Sequence, residues 1–574
     1  MNRRRGGTWV LLGIFCAGAI AALWRIPDPS PTPRPEPAVD WRKLTVPPEQ
    51  RSPHPLPERV DLDNSTVAGR HIEPYEPYPL AVVTHPGVAP ADRGRSIVLH
   101  LDHIELLDGA AAVVRRIPFD ARAEVRLENV VAAVADPDWI SRDPAGVVLL
   151  RAALVQAQGT HLTISAPGVR EVRLAVLPGV FLAGMSATAR IDHVRVWSWK
   201  SDGTGPDPDS THHRPFIDYE GGSRLDVVSS EVAFLGSDRV SAYGISWRQG
   251  GTTGEILDSD FHNNFFGVYT YEARDLVFRG NRFHDNTRYG CNQHDFTTGL
   301  VVEDNESWAN GSHGFIFSRG VTEGVLRRNY AHDNNGNGIM MHLGSDGNVI
   351  VANRVEHNGL DGIVITDSWH EVVADNLVRG NRVGIRSDGE SLDNRFAGNR
   401  VIDNATGIEL HDGTRGSILE RNVIRGSKST ALVLAAPGSQ VSGGVVEGGF
   451  KGVDVRAPAS LTGVSMRQVE QGLIVGRGVS LATRDLTIEA AQVAVVAERG
   501  AVVQIAASRL QAHQATSGAG VHLGPGIEQE KGRVPWLRVA GIVFIAAAIT
   551  LEVVRRLRNR RDHASLRVPA LTAG

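Results

Sequence analysis

The chain has 574 residues, a net charge of -4 and two cysteines, which excludes a polybasic nucleic-acid binder and a disulfide-built scaffold. Its 62 glycines and 6% aromatic content point to many tight turns rather than long helices. The length leaves ample chain for a large core and, by itself, room for two to four domains.

Arg3, Arg4 and Arg5 precede an apolar stretch over residues 8–24. A basic flank followed by such a run is the pattern of a signal peptide or signal anchor. No small-x-small cleavage site follows it. Phe15 stands before Cys16, where a lipoprotein signal needs a small residue. An uncleaved transmembrane anchor is therefore expected over 1–26. A linker over 27–70 begins with Pro27, Pro29, Pro31, Pro33, Pro35 and Pro37, whose alternation gives an extended, semi-rigid spacer. The far end mirrors this. Residues 539–551 are apolar, with Trp536 before them and Arg555, Arg556, Arg558, Arg560 and Arg561 after them. A second transmembrane helix is expected over 536–554 and a basic cytoplasmic tail over 555–574. A buried core helix is the alternative. Arginines at the outer ends of both spans place both termini in the cytoplasm and the domain between them outside it. Cys16 and Cys291 are too differently placed to pair, so no disulfide is expected.

Between the spans the sequence repeats. Asn281, Asn305, Asn329, Asn353, Asn376, Asn399 and Asn422 recur every 24 or 23 residues, and Asn286, Asn310, Asn334, Asn358, Asn381 and Asn404 follow five residues behind the first six. A glycine then opens each apolar segment: Gly290, Gly314, Gly338, Gly362, Gly384 and Gly407, with Gly244 and Gly267 heading earlier copies. Such a period marks a solenoid. Each copy reads as short strands and turns with no room for a helix, which predicts an all-β parallel β-helix. The asparagines fit a turn with a left-handed backbone, with amides hydrogen-bonded from coil to coil. The domain is predicted over 71–525, with N-terminal coils and a cap at 71–200, main repeats at 201–430 and coils of about 20 residues at 431–525.

Strand alternation sorts the residues after each glycine. Positions one and three are mostly apolar and are predicted to point inward, as in Ile245 and Trp247, Phe315 and Phe317, or Ile363 and Ile365. Position four then forms an outer column of Arg248, Tyr271, His294, Ser318 and His342. Tyr269 and Asn292 lie in the position-two column, and Glu272, Asp295, Arg319 and Asp367 stand at strand ends. A strip of aromatic, imidazole, carboxylate and guanidinium groups several coils long suits an extended polymer, and Arg248 and Arg319 suit one with repeated negative groups. His294 and His342 sit two coils apart, roughly 9–10 Å by the strand spacing, too far to share one metal ion. A metal-binding role is therefore the weaker reading.

The stretch from Arg214-Pro215-Phe216-Ile217 to about Ser368 resembles the periplasmic mannuronan C-5 epimerases of alginate-producing bacteria. The matching residues are Gly221-Gly222-Ser223, Ala242-Tyr243-Gly244-Ile245-Ser246, Gly267-Val268-Tyr269-Thr270-Tyr271-Glu272-Ala273, Asp285-Asn286 through Tyr289-Gly290, and His313-Gly314 through Ser318-Arg319. The resemblance implies a right-handed parallel β-helix. It also implies that His294 is the catalytic base, in Asn292-Gln293-His294-Asp295 where the family has Asp-Pro-His-Asp. Arg319 falls on the arginine that neutralises the substrate carboxylate, and Tyr289 on a tyrosine that donates or accepts a proton. Asn292 orients the imidazole without charge, while Asp295 or Glu272 supplies the missing carboxylate.

The expected protein is a membrane-anchored, extracytoplasmic C-5 epimerase of a uronic-acid polymer, with His294, Arg319, Tyr289 and Asp295 as its catalytic residues. Arg248, Tyr269, Tyr271, Glu272, Asn292, His342 and Asp367 are expected to bind the substrate. A polyanionic polysaccharide, the membrane and a polysaccharide synthesis or export complex are its expected partners, with no cofactor, metal or nucleic acid. The alternatives are a polysaccharide lyase using the same site and a non-catalytic glycan-binding envelope protein.

Overall fold

The computed structural model describes residues 40–45, 94–211, 213–238 and 242–532. Both expected membrane helices, the proline run and the basic tail lie outside the described residues, among which no helix is long and apolar enough to cross a membrane. Met1–Asp40 is a unit of its own, and the architecture below belongs to the unit Trp41–Gly574.

Successive coils stack three columns of short parallel strands. The first column includes Ile245–Arg248, Val268–Tyr271, Cys291–His294, Phe315–Ser318 and Ile339–His342, each paired in register with the next. The second runs through Val277–Arg279, Val301–Glu303 and Val325–Arg327, and the third through Arg282–His284, Glu306–Trp308 and Tyr330–His332. The parallel β-helix is thus present as the repeat period predicts, and it continues to the strand Glu528–Lys531. Positions one and three of the first column do point inward: Ile245, Trp247, Phe315, Phe317, Ile339, Met341, Ile363 and Ile365 belong to one continuous core.

The asparagines build two buried ladders along this core. Asn281 donates from its backbone N–H and its Nδ2 to Asn305 Oδ1, at 2.9 and 3.0 Å, and from Nδ2 to the Ile256 carbonyl at 2.8 Å. The pattern repeats through Asn329, Asn353, Asn376, Asn399 and Asn422, and a second ladder runs from Asn286 to Asn404. One detail of the expectation is corrected. The left-handed residue is the one before each asparagine, such as Gly280, Asp304, Arg328 and Ala352 or Asp285, Ala309 and Asp333. That residue turns the corner, and the asparagine after it aims its amide inward at carbonyls that would otherwise be orphaned. Asn329→Ala would strand the Val302 carbonyl and the donors of Asn305. We expect it to lower stability by about 2–4 kcal/mol, read as a shift in the urea midpoint at unchanged slope.

The N-terminal end departs from pure coils. Ser96–Leu99, His103–Leu107 and Val113–Pro118 form an antiparallel meander, and Ser96–Leu99 also pairs in parallel with Ala153–Gln156 of the first coils. A helix, Leu127–Val134, buries Leu127, Val130 and Val134 on one face against the core, and Ala135 ends it in the left-handed conformation. Repeat arithmetic misses this helix because it lies outside the repeat. Its spacing of three and four apolar residues is its own signal, and it covers a core that would otherwise end in water.

Candidate active site

Each of the first-column strands from Ile245–Arg248 to Ile363–Thr366 is followed by a non-glycine residue with positive φ: Gln249 (54°), Glu272 (50°), Asp295 (33°), Arg319 (63°), Leu343 (51°) and Asp367 (48°). This left-handed step folds the last side chain back beside its own strand and toward the neighbouring coil. At Asp295 the consequence is chemical. Its Oδ2 lies 2.5 Å from His294 Nδ1, and its Oδ1 lies 3.1 Å from Arg319 Nε on the next coil. One carboxylate therefore bridges the imidazole and the guanidinium. Nδ1 faces a carboxylate and so carries the proton of the neutral ring, which puts the lone pair on Nε2.

The strand beneath the imidazole is fixed from inside. The His294 backbone N–H donates to Thr270 Oγ1 at 3.2 Å, and Thr297 Oγ1 donates to the His294 carbonyl at 2.8 Å. The two threonine hydroxyls lie 3.0 Å apart. Cys291 and Gln293, the inward residues of this strand, are in contact at 3.1 Å, and burial pushes the Cys291 thiol up.

An aromatic cluster packs beside this group. Tyr269, Tyr271 and Tyr289 join Phe265, Phe266 and Ile316. The Tyr269 ring lies 5.7 Å from that of His294. Tyr289 packs on Phe266 at 5.2 Å and stacks on His313 at 5.4 Å. The column residue just before each glycine, Tyr243, Phe266, Tyr289 and His313, supplies much of this layer. Alternation counted from the glycine does not reach this column, although its aromatic run is visible in the sequence.

The outer strip is less open than alternation implies. His294 is 3% exposed, and Arg248, Asn292 and Ser318 are fully buried, while His342 is half-buried and its Nδ1 lies 3.2 Å from Ser318 Oγ. Arg248 departs furthest from an open anion receptor. Its Nη1 lies 2.8 Å from Asp218 and its Nη2 3.5 Å from Glu220, two acids one coil earlier. The same alternation places these acids at positions two and four after Phe216, which stands where later coils have their glycine. Asn292 does not orient the imidazole. Both its amide atoms are buried without a hydrogen-bond partner, and Asp295 does the orienting. Asp367 Oδ1 accepts the Glu390 backbone N–H at 2.8 Å and so holds a turn. Glu272 stands half-buried at its strand end, where its backbone N–H donates to the Asp295 carbonyl at 2.7 Å.

Two acids share one guanidinium in this buried network. Burial raises Asp218 well above the ordinary carboxylate range and pushes Glu220 up to about 8, and it lowers Arg248 to about 9. Arg248 lies closer to Asp218 than to Glu220, and burial of two carboxyls beside one guanidinium favours keeping a proton on the pair at neutral pH. A carboxyl raised on folding binds more protons in the native state. Its contribution is therefore full below its unfolded value of about 4.5 and is lost as pH rises toward 8. Glu220→Gln is expected to flatten the decline of stability between pH 5 and 8, by about 1.4 kcal/mol per pH unit at most. Chemical denaturation of both proteins across that range measures the difference.

A family model described as a right handed beta helix region matches residues 220–368 and 341–446. The mannuronan C5-epimerase of Pseudomonas syringae pv. tomato is 30% identical over 210 residues, which are 34% of this chain and 39% of that protein. The mannuronan C5-epimerase AlgG of Azotobacter vinelandii is 31% identical over 334 residues, 55% of this chain and 62% of that one. Among solved structures, that of the periplasmic alginate epimerase AlgG aligns with a TM-score of 0.44 at 20% identity, over 74% of this chain and 85% of that chain. The chain is thus a right-handed parallel β-helix homologous to mannuronan C5-epimerases, and it spans less than two thirds of the length of these curated relatives.

Proposed function

We propose that the chain is a C-5 epimerase of a uronic-acid-containing polysaccharide of the alginate type. In this reading it works outside the cytoplasm and is tethered to the membrane through residues 8–24 and 539–551. The observation that carries the reaction is the bridge of Asp295 between His294 and Arg319. Homology to mannuronan C5-epimerases supports the same reaction class.

The C-5 proton of a uronate is barely acidic while the adjacent carboxylate keeps its full charge. Arg319 stabilises the enolate-like intermediate by pairing with that carboxylate. Its Nε holds Asp295, which fixes the guanidinium beside the imidazole. His294 Nε2 then removes the C-5 proton. Asp295 stabilises the imidazolium that forms. Tyr289 or water returns a proton to the opposite face, and the stereocentre inverts. The aromatic layer of Tyr269, Tyr271 and Phe266 shields the intermediate from water.

Incubating the protein with polymannuronate and following guluronate signals by proton NMR tests the reading. New guluronate without absorbance from unsaturated uronate supports epimerisation. Unsaturated ends assign the site to a lyase, and an unchanged polymer, with other uronans equally unchanged, removes the enzymatic reading.

A further inference from the structure

The N-terminal meander carries a cluster that the epimerase chemistry does not use. His103 and Glu105 are residues i and i+2 of the strand His103–Leu107, so their side chains leave the same face. His100 stands in the turn before it, where its backbone N–H donates to the His103 carbonyl at 2.9 Å. Ligating atoms of the three side chains all lie within 4.8 Å of one another. Glu105 presents one oxygen to each imidazole: His100 Nε2 lies 3.5 Å from Oε2, and His103 Nε2 lies 3.3 Å from Oε1.

These separations discriminate between two explanations. Charge-assisted hydrogen bonds between imidazolium and carboxylate are about 2.7–2.9 Å long. Bonds of about 2.0–2.1 Å to one tetrahedral ion put neighbouring ligand atoms about 3.3–3.4 Å apart. The observed values match the edge of a coordination shell. The proton arrangement agrees. His103 Nδ1 lies 2.6 Å from Asp102 Oδ1, which holds the proton on Nδ1 and turns the Nε2 lone pair toward Glu105. His100 Nε2 is buried and has no hydrogen-bond partner. The two rings stack at 4.4 Å with 11° between their planes, so one of them has to turn out of the stack to bring both Nε2 lone pairs, which lie in the ring planes, onto one ion. Arg116 Nε donates to Glu105 Oε1 at 3.1 Å, which fixes the carboxylate with one oxygen facing each imidazole. All three side chains are partly exposed, His100 most, so an ion has a way in.

We propose that His100, His103 and Glu105 bind one divalent transition-metal ion of the zinc class, with Asp102 as the positioning residue behind His103. The ion pins the turn between the strands Ser96–Leu99 and His103–Leu107. Because Ser96–Leu99 pairs with the first coil, it fastens the cap that closes the solenoid. With three protein ligands, the fourth position takes water.

The test uses the full chain stripped with EDTA and titrated with zinc against a chromophoric chelator, with cobalt(II) as the spectroscopic probe. One zinc per chain is expected, together with the intense d–d bands of tetrahedral cobalt and a rise in melting temperature on adding zinc. His100→Ala and His103→Ala should each weaken binding at least about 100-fold, and Asp102→Asn about 10–100-fold. Asp102 is exposed, so this last variant keeps the fold, which circular dichroism checks. No zinc bound at micromolar concentration overturns the proposal. So does binding that survives in the His100→Ala/His103→Ala variant, since the ion then sits elsewhere, for example along His262, His284 and His332.

Discussion

His294→Gln is expected to lower the rate of C-5 proton exchange by at least about 10³-fold while leaving the fold and the binding of uronan intact. The side chain carries the one lone pair that the arrangement aims away from Asp295. Glutamine fills a similar volume without a base of useful strength. General-base catalysis alone accounts for about 10²–10⁴, and without it nothing restarts the cycle, because the enolate never forms. The measurement is turnover of polymannuronate by NMR beside binding of the same polymer by calorimetry. A wild-type rate in the variant removes the imidazole from the reaction.

Asp295→Asn separates orientation from binding. Asparagine is nearly isosteric, so the left-handed strand end and the backbone bond from the Glu272 N–H to the Asp295 carbonyl persist. Asparagine also tolerates positive φ. What disappears is the negative charge that faces His294 Nδ1 and Arg319 Nε at once. The imidazolium formed during proton abstraction loses its counter-charge, and the ring loses the partner that fixes its tautomer. We expect kcat to fall about 10²–10⁴-fold, by analogy with aspartate-to-asparagine changes behind a catalytic histidine, with KM changing little. A loss confined to KM would mean that Asp295 serves substrate binding through Arg319 rather than the base.

Much of this arrangement was legible in the sequence, for a definite reason. A solenoid translates sequence period into spatial column, so residues 24 apart become neighbours. The inward face, the asparagine ladders and the grouping of His294 with Arg319 follow from counting. Counting does not reveal what happens where the period breaks. The left-handed step at Asp295 belongs to a strand end, and only that step turns its carboxylate onto His294. Solvent exposure is equally invisible. Arg248 reads as an open cation because its column partners Asp218 and Glu220 sit in a coil whose glycine signal is missing. The cap, with its helix and its antiparallel meander, lies outside the repeat and so outside its arithmetic.

Deuterium uptake at C-5 bears most directly on the role of His294 as base. Polymannuronate incubated with the protein in deuterated water is predicted to gain deuterium at C-5 of inverted residues, with none gained in the presence of the His294→Gln variant. Inversion without deuterium, uptake that persists in the variant, or no uptake from any uronan would contradict it.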